Sequence, residues 1–252
     1  MPNMSKSTGF TVPELLAVVA IITIVLSILL PVFNHGRENA RDMMCRSNQR
    51  QIGIGFMSYA RDNGNYLPPN TNGTQKGDWL TYAPGATSAD QKWANGPQTG
   101  SIYEYVNRRH ELYLCPSLAK GVLGSKVGSN GRFDITAMAS LSGARTSNVS
   151  NQAQVNIGGT YMDIITPIII EEDPKELNGN NREGHFGNVD LFGQWHHDGG
   201  SFASIDGSVM RIDYPSNVQV FANHFRSRLR GGNGDWANLG GNGNNVGWWN
   251  LQ

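Results

Sequence analysis

A long apolar run near the N-terminus is the strongest hydrophobic pattern in the chain. From Leu15 to Phe33 the sequence has 33 − 15 + 1 = 19 residues, of which Thr23 and Ser27 are polar and none is charged. As a helix this run would be roughly 28 Å long, close to the thickness of the hydrocarbon core of a bilayer. A secretory signal peptide is the alternative, but it has a shorter apolar core followed by a small-residue cleavage site, and here "NHGREN" follows. The pattern therefore predicts a transmembrane helix.

After this run the apolar positions take a helical spacing. Cys45, Ile52, Phe56 and Tyr59 are spaced 7, 4 and 3 residues apart. At 100° per residue they fall within about 60° of one another, on one stripe of a helix. We expect the membrane helix to continue as an amphipathic stalk and to end near Asn63-Gly64, a usual helix stop. The stripe needs a globular domain to pack against.

The rest of the chain, residues 63–252, has short apolar runs separated by Gly, Asn and Pro. The β-branched run from Thr166 to Asp173 predicts a buried strand, and the alternation around Asp206-Gly207 predicts a β-hairpin with a tight turn. Residues 70–98 and 141–156 show no periodicity, so we expect long loops there. The predicted fold class is α+β: a long N-terminal helix packed on a small antiparallel β-sheet domain with long loops.

Composition excludes several classes of function. The chain has 252 residues, with Lys+Arg 20 and Asp+Glu 20, so its formal net charge is zero. Nothing in this balance favours nucleic acid as a partner. The sequence has no activated-serine elbow, no His-Glu-x-x-His and no phosphate-binding loop, so we expect no enzyme.

The segment before the apolar run resembles a known family. Gly9-Phe10-Thr11-Val12-Pro13-Glu14, followed at once by the run, is similar to the N-terminus of type IV prepilins and type II secretion pseudopilins. The resemblance implies cleavage after Gly9 by a prepilin peptidase and N-methylation of Phe10. It also implies that Glu14 pairs with the new N-terminal amine of another pseudopilin subunit during filament assembly.

Glu14 is unusual for its place. A charge near the membrane core costs about 2.5–3.5 kcal/mol on insertion scales, and such residues are usually functional. The methylated amine of Phe10 from another subunit would offset this cost. The alternative is that Glu14 snorkels to the lipid headgroups near the helix end.

Further motifs, in the same order along the chain, extend the resemblance to a large pseudopilin-like family. They are "ARDMMCRSNQRQIG" after the anchor, a Tyr-Val segment before Cys115-Pro116, and His196 followed after nine residues by Asp206-Gly207. In that family the last of these is a prepilin-processing-associated H-X9-DG motif.

The predicted organisation follows from these segments. It consists of a leader peptide (1–9), a transmembrane and assembly helix (10–33), an amphipathic stalk helix (34–62) and a periplasmic pseudopilin-like domain (63–252). Lys6 precedes the span, which favours a cytoplasmic N-terminus and an exported C-terminal domain. The expected location is the bacterial inner membrane as a single-pass protein.

The two cysteines suggest a disulfide. Cys45 lies on the apolar stripe, and Cys115 follows "ELYL", which predicts a strand ending before Pro116. Both would lie in the periplasm, where a disulfide persists. The alternative is two buried free thiols that fill space.

Two polar groups are candidates for metal binding. A metal site can be drawn from the pair His196 and His197 with Asp198, Asp206 and Asp213, but a structural role for the histidine and for the Asp-Gly turn is favoured. Glu171, Glu172 and Asp173 end the predicted strand and are weak Ca²⁺ candidates, with a solvated acidic loop as the favoured interpretation. No other cofactor is expected.

Two functions are consistent with these patterns. The first is a structural and assembly subunit of a type II secretion or type IV pilus-like periplasmic filament. The second is a membrane-anchored periplasmic module that binds a glycan or protein ligand and does not polymerise. Its binding faces would be the tryptophans Trp79, Trp93, Trp236, Trp248 and Trp249.

Overall fold

One long helix, α1, begins the described part of the chain and runs from Val12 to Asp62. The computed structural model describes residues 11–70, 77–81, 96–117, 133–173, 184–187, 190–196, 199–228 and 236–239. Within these ranges the strands are β1 Ile135–Met138, β2 Gln152–Ile157, β3 Thr160–Ile165, β4 Pro167–Glu171, β5 His185–Phe186, β6 Gly199–Ser204, β7 Val209–Asp213, β8 Phe225–Arg228 and β9 Trp236–Asn238. The chain is an α+β protein, as predicted.

The helix ends where the sequence predicts. Asn63 still donates its backbone N–H to the carbonyl of Tyr59, and Gly64 then adopts a positive φ of 66°. A left-handed glycine just after the last turn is a common helix stop, because glycine has no Cβ to clash. The chain divides after Ala40 into two compact units, and α1 contributes residues to both.

In the first unit the large apolar side chains of α1 are exposed. Leu16 is 65% exposed and Ile21 is 61% exposed. The two polar side chains of the run bond to the helix's own carbonyls: Thr23 Oγ1 donates to Ala20 at 2.8 Å and Ser27 Oγ donates to Ile24 at 2.7 Å. Hydroxyls satisfied in this way need no water, and a lipid environment offers none. By length and composition this helix can cross a membrane, as a single span or as a signal anchor.

In the second unit α1 packs against the strands through one face. The buried helix residues are Asp42, Cys45, Gln49, Ile52, Gly53, Gly55, Phe56 and Ala60. The predicted stripe is confirmed, since its first three members are buried and Tyr59 is half-buried against the core. Gly53 allows close approach, because a Cβ there would lie 3.3 Å from the Cβ of Ala203 on β6.

The larger sheet has five strands in the order β5-β1-β4-β6-β7. All neighbours are antiparallel except β1 and β5, which pair in parallel. The strand β4 is buried along its whole length, which confirms the predicted β-branched strand. The strands β6 and β7 form the predicted hairpin around Asp206-Gly207. Gly207 has a φ of 82°, which explains why glycine stands in the turn.

A second sheet has four antiparallel strands in the order β3-β2-β8-β9. The sequence predicts one small antiparallel sheet. It does not predict the second sheet or the parallel pairing of β1 with β5. Residues 141–156, expected to be a loop, contain most of β2. The expectation of a loop is wrong here: "QAQVNI" alternates polar and apolar residues, and the structure buries Ala153 and Val155 on one face of the strand.

The segment before Cys115 also differs from expectation. Residues His110–Tyr113 form a short 3-10 helix and not a strand. Leu112 and Tyr113 are both buried although they are adjacent. A strand covered on both faces, such as β4, also buries consecutive residues, so the burial of Leu112 and Tyr113 fits either conformation.

Candidate functional site

Four ionisable side chains meet inside the second unit. They are Cys45, Cys115, Glu171 and His196, and we refer to them as the buried cluster. Their exposed fractions are 3%, 2%, 0% and 0% in that order. One nitrogen, oxygen or sulfur atom from each lies within 4.8 Å of the corresponding atom of every other member.

Each member of the buried cluster comes from a different part of the fold. Cys45 lies on the buried stripe of α1, and Cys115 follows the 3-10 helix His110–Tyr113. Glu171 is the last residue of β4, and His196 lies just before β6. Since β4 and β6 are antiparallel neighbours, the last residues of β4 lie beside the first residues of β6, at the same end of the two strands. The cluster therefore joins the helix to the larger sheet.

The imidazole of His196 lies between a sulfur and a carboxylate. Its Nε2 is 3.3 Å from the Sγ of Cys115 and 3.9 Å from Oε1 of Glu171. Its Nδ1 is 3.4 Å from Oγ of Ser117. If Nδ1 carries the proton and donates it to Ser117, Nε2 is left with a lone pair directed at the other cluster members.

The carboxylate of Glu171 is held in place by one serine. The Ser201 backbone N–H donates to Oε2 at 2.9 Å, and the Ser201 hydroxyl donates to Oε1 at 3.1 Å. The same hydroxyl accepts a hydrogen bond from Nε2 of Gln49 at 2.9 Å. These contacts fix the orientation of the carboxylate from β6 and from α1 together.

Other groups close the site around the sulfurs. The side chain of Trp195 packs against both cysteines. The backbone N–H of Cys115 donates to Oδ2 of Asp134 at 2.8 Å. Arg211 donates a hydrogen bond to the carbonyl of His196. These contacts anchor the main chain on both sides of the cluster.

The electrostatics of the cluster couple its members. A hydrogen bond from Cys45 and the neighbouring His196 lower the pKa of Cys115 to about 6. The same hydrogen bond, with burial, raises the pKa of Cys45. Burial raises the pKa of Glu171 to about 8, and the negative sulfur of Cys115 acts in the same direction. Each negative charge thus makes the next one more costly, as expected for buried like charges.

The two cysteines of the predicted disulfide are close neighbours in the structure. Cys45 faces the interior of the domain, as expected, and both residues are free thiols here. Their sulfur atoms lie within 4.8 Å of each other. A disulfide between them stays a prediction.

The H-X9-DG motif is explained by strand β6. His196 lies just before this strand and Asp206 lies just after it, so the two are at opposite ends of six residues of extended chain. At about 3.3 Å per residue they are too far apart to share a ligand. Oδ1 of Asp206 instead accepts hydrogen bonds from the backbone N–H and hydroxyl of Ser208 within the turn, at 2.9 and 2.7 Å. His196 and Asp206 therefore do not share a metal ion, and His197 and Asp198 lie outside the described residues.

The acidic residues after the predicted strand do not form a solvated loop. Glu171 and Glu172 are 0% and 1% exposed, so that interpretation is wrong for both. Consecutive residues of an extended chain point to opposite sides, and Glu172 pairs in an isolated bridge with Phe192. The two carboxylates therefore do not converge on one calcium ion, and Asp173 is half-buried beyond them.

At the start of α1, Glu14 caps the helix. Its Oε2 accepts hydrogen bonds from the backbone N–H of Thr11 at 2.8 Å and from the Thr11 hydroxyl at 2.7 Å. The sequence Thr-Val-Pro-Glu matches the capping-box pattern, in which the third helical residue reaches back to the residue before the helix. The cap was not among the predicted features, although its signal is visible in these four residues. Gly9, Phe10 and the leader lie outside the described residues.

Of the aromatic residues expected for a binding module, Trp79 is fully buried and donates its indole N–H to the carbonyl of Gly184. A ligand-binding role for it is wrong. Trp236 is half-buried and lines an open groove of about 620 Å³ on the four-stranded sheet. The guanidinium of Arg226 lies 4.8 Å from the Trp236 ring and 3.4 Å from the Tyr161 ring. Trp93, Trp248 and Trp249 lie outside the described residues.

Residues 34–164 match the model of a family described as a protein of unknown function (DUF1559). The match covers 164 − 34 + 1 = 131 of the 252 residues, more than half of the chain. The chain belongs to this DUF1559 family. The matched range includes Cys45 and Cys115 and ends before Glu171 and His196. No curated protein and no solved structure matches the chain.

Proposed function

We propose that this DUF1559 protein is a membrane-anchored, pilin-like subunit of a periplasmic filament of the type II secretion or type IV pilus kind. In this proposal a prepilin peptidase cleaves after Gly9 and Phe10 becomes N-methylated. The apolar part of α1 anchors the chain in the inner membrane with the N-terminus in the cytoplasm. The partners are other pseudopilin subunits.

The observation that carries the proposal is the character of α1. It is one uninterrupted helix from Val12 to Asp62, apolar and exposed in its first part and built into the domain core in its last part. A run of exposed large apolar side chains of this length needs a cover of lipid or of other apolar helices. In a filament subunit these side chains would contact lipid while the chain is in the membrane and would pack against other helices after assembly.

The capping role of Glu14 is compatible with assembly. Thr11 and Glu14 both remain in a chain that begins at Phe10, so the cap survives processing. The cap uses Oε2 and leaves the negative charge in place. An amine from a neighbouring subunit would neutralise that charge, which is the contact that the family resemblance implies.

We propose no catalytic role for the buried cluster. A reactive thiol is partially exposed, because its substrate must reach the sulfur. Cys115 is 2% exposed and His196 is 0% exposed, which supports an internal structural role for the pair.

The test separates the charge of Glu14 from its cap. Glu14→Gln keeps an oxygen that can accept from Thr11 but removes the charge, while Thr11→Val removes the hydroxyl donor and keeps the charge. We expect the first variant to insert into membranes normally and to lose subunit crosslinks about tenfold or more, as for a charge pair broken in lipid. Thr11→Val should crosslink like the wild type. Mass spectrometry of the membrane-purified wild type should show a chain that starts at a methylated Phe10.

Unchanged crosslinking of Glu14→Gln would contradict filament assembly through this residue. An intact N-terminus at Met1, in cells with an active prepilin peptidase, would contradict the processing step. Equal loss of crosslinks in Glu14→Gln and Thr11→Val would mean that helix capping, and not charge, is what assembly needs.

The groove on the four-stranded sheet favours a second candidate, the anchored binding module. Its lining combines Trp236, Arg228 and Asp163, a mixture of ring, cation and carboxylate that suits a polar ligand. In this case binding would survive Glu14→Gln and would be lost in Trp236→Ala. The filament role is preferred because it also explains the Gly9–Glu14 segment.

A further inference from the structure

The buried cluster contains a carboxylate and an imidazole in addition to the two sulfurs that a disulfide would use. A disulfide would account for the two sulfurs of Cys45 and Cys115. It would not explain why a carboxylate and an imidazole are fully buried beside them, at a place where the sheet could hold apolar side chains. Burial of such groups is costly unless they are paired or bind a metal ion.

We propose that the buried cluster is a tetrahedral site for a divalent metal ion, Zn²⁺ by preference, that fastens α1 to the larger sheet. The four ligands are Sγ of Cys45, Sγ of Cys115, Oε1 of Glu171 and Nε2 of His196. The site is independent of the filament role and would serve either of the two candidate functions.

The distances fit this geometry. With the usual zinc bond lengths, a tetrahedral site separates its ligand atoms by roughly 3.3 to 3.8 Å. The Cys115 sulfur lies 3.3 Å from Nε2 of His196, and that nitrogen lies 3.9 Å from Oε1 of Glu171. All ligand atoms of the cluster lie within 4.8 Å of one another. A pair at the 4.8 Å limit would have to approach by about 1 Å to reach the tetrahedral range, a shift that rotation of the side chains can supply.

The type of ligand selects the metal. Two thiolates, an imidazole and a carboxylate form the soft-to-borderline set that zinc prefers, whereas Mg²⁺ and Ca²⁺ take oxygen ligands. Four protein ligands and no access from solvent indicate a structural site, because catalytic zinc sites keep one position open for water or substrate. When the metal binds, the two thiols lose their protons, so two thiolates and the Glu171 carboxylate place three negative charges around one divalent cation.

The surroundings of the cluster are those of a built site. The hydroxyl of Ser117 lies at Nδ1 of His196, where a hydrogen bond would leave Nε2 for the metal. Ser201 holds the Glu171 carboxylate through two hydrogen bonds and is itself held by Gln49. Such outer contacts orient the ligands before the ion arrives.

The ligands also explain two sequence signals together. Cys45 lies in the segment after the anchor, and His196 is the histidine of the H-X9-DG motif. In the structure these distant motifs meet at one point. The Asp-Gly of the motif forms the turn of the β6–β7 hairpin, and His196 lies just before the first strand of that hairpin.

The experiment measures metal in the full chain, purified from membranes in detergent without chelator. Elemental analysis should give about one zinc ion per chain, as in a closed structural site. Cys45→Ser and His196→Gln should each lose most of it. His224→Gln changes a histidine outside the cluster and should keep the wild-type content. Ser117→Ala keeps all four ligands and should lower zinc affinity about 10- to 100-fold in a chelator competition.

A measurement on the wild type guards against variants that fail to fold. X-ray absorption at the zinc edge should show two sulfur ligands at about 2.3 Å and two nitrogen or oxygen ligands at about 2.0–2.2 Å. A Cys45–Cys115 disulfide in the freshly isolated chain, found by non-reducing peptide mapping, would overturn the proposal. So would zinc content that is absent in the wild type, unchanged in both ligand variants, or bound without sulfur.

Discussion

Phe56 provides the most direct test of how α1 is built into the domain. Its side chain is 3% exposed and its ring lies 5.5 Å from that of Trp79, centre to centre. Phe56→Ala removes the ring and leaves a cavity, which costs about 3–5 kcal/mol in protein cores. Part of this loss, about 0.5–1.5 kcal/mol, is the aromatic pair with Trp79.

The direction of the effect is unambiguous because alanine is the best helix former. Any change in helix propensity would stabilise the variant, so a loss must come from packing. Ile54 is the matched control, since it lies two residues away on the same helix and is 51% exposed. Ile54→Ala should change the free energy of unfolding by about 0.5 kcal/mol or less.

The assay is thermal and denaturant unfolding of the full chain in detergent, followed by circular dichroism and tryptophan fluorescence. For a domain of this size, 1 kcal/mol shifts the Tm by about 2–4 °C, so Phe56→Ala should lower it by about 6 to 20 °C. Equal shifts for Phe56→Ala and Ile54→Ala, or a loss below about 1 kcal/mol for the first, would refute the packing of this face on the sheet.

Two glycine substitutions test the β6–β7 hairpin that follows His196. At Gly207 a Cβ would meet open space, but the φ of 82° is strained for an L-residue. Gly207→Ala should therefore lower the free energy of unfolding by about 1 kcal/mol, and Gly207→Asn should lower it less. Equal losses for the two variants would contradict the argument from backbone strain. At Gly200 a Cβ would overlap the carbonyl oxygen of Gly193, so Gly200→Ala should lower stability by about 3 kcal/mol. A Tm for Gly200→Ala within about 2 °C of the wild type, on a scale of about 2–4 °C per kcal/mol, would show that the two segments are not in contact.

Features that depend on local periodicity were predictable from the sequence. Three elements follow this rule: the helical stripe of α1, the β-branched strand β4 and the hairpin at Asp206-Gly207. Each is predicted by the types and spacing of residues that lie close together in the sequence. The same reasoning failed at His110–Tyr113, because four residues are too few to separate a strand from a 3-10 turn. The expectation of a loop at residues 141–156 also missed β2, although "QAQVNI" alternates polar and apolar residues as a half-buried strand does.

The buried cluster shows what only the tertiary structure decided. The long helix and the individual candidate side chains could be identified from the sequence, because each depends on a short contiguous stretch of residues. The sequence could not say that Glu171 and His196 would join Cys45 and Cys115, since the contact between Cys115 and His196 spans 81 residues and depends on how β4 and β6 pair. A chain folds such residues together only when helix packing and strand register are both fixed. For the same reason His196 and Asp206, which a motif places together in the sequence, are separated by a strand in the fold.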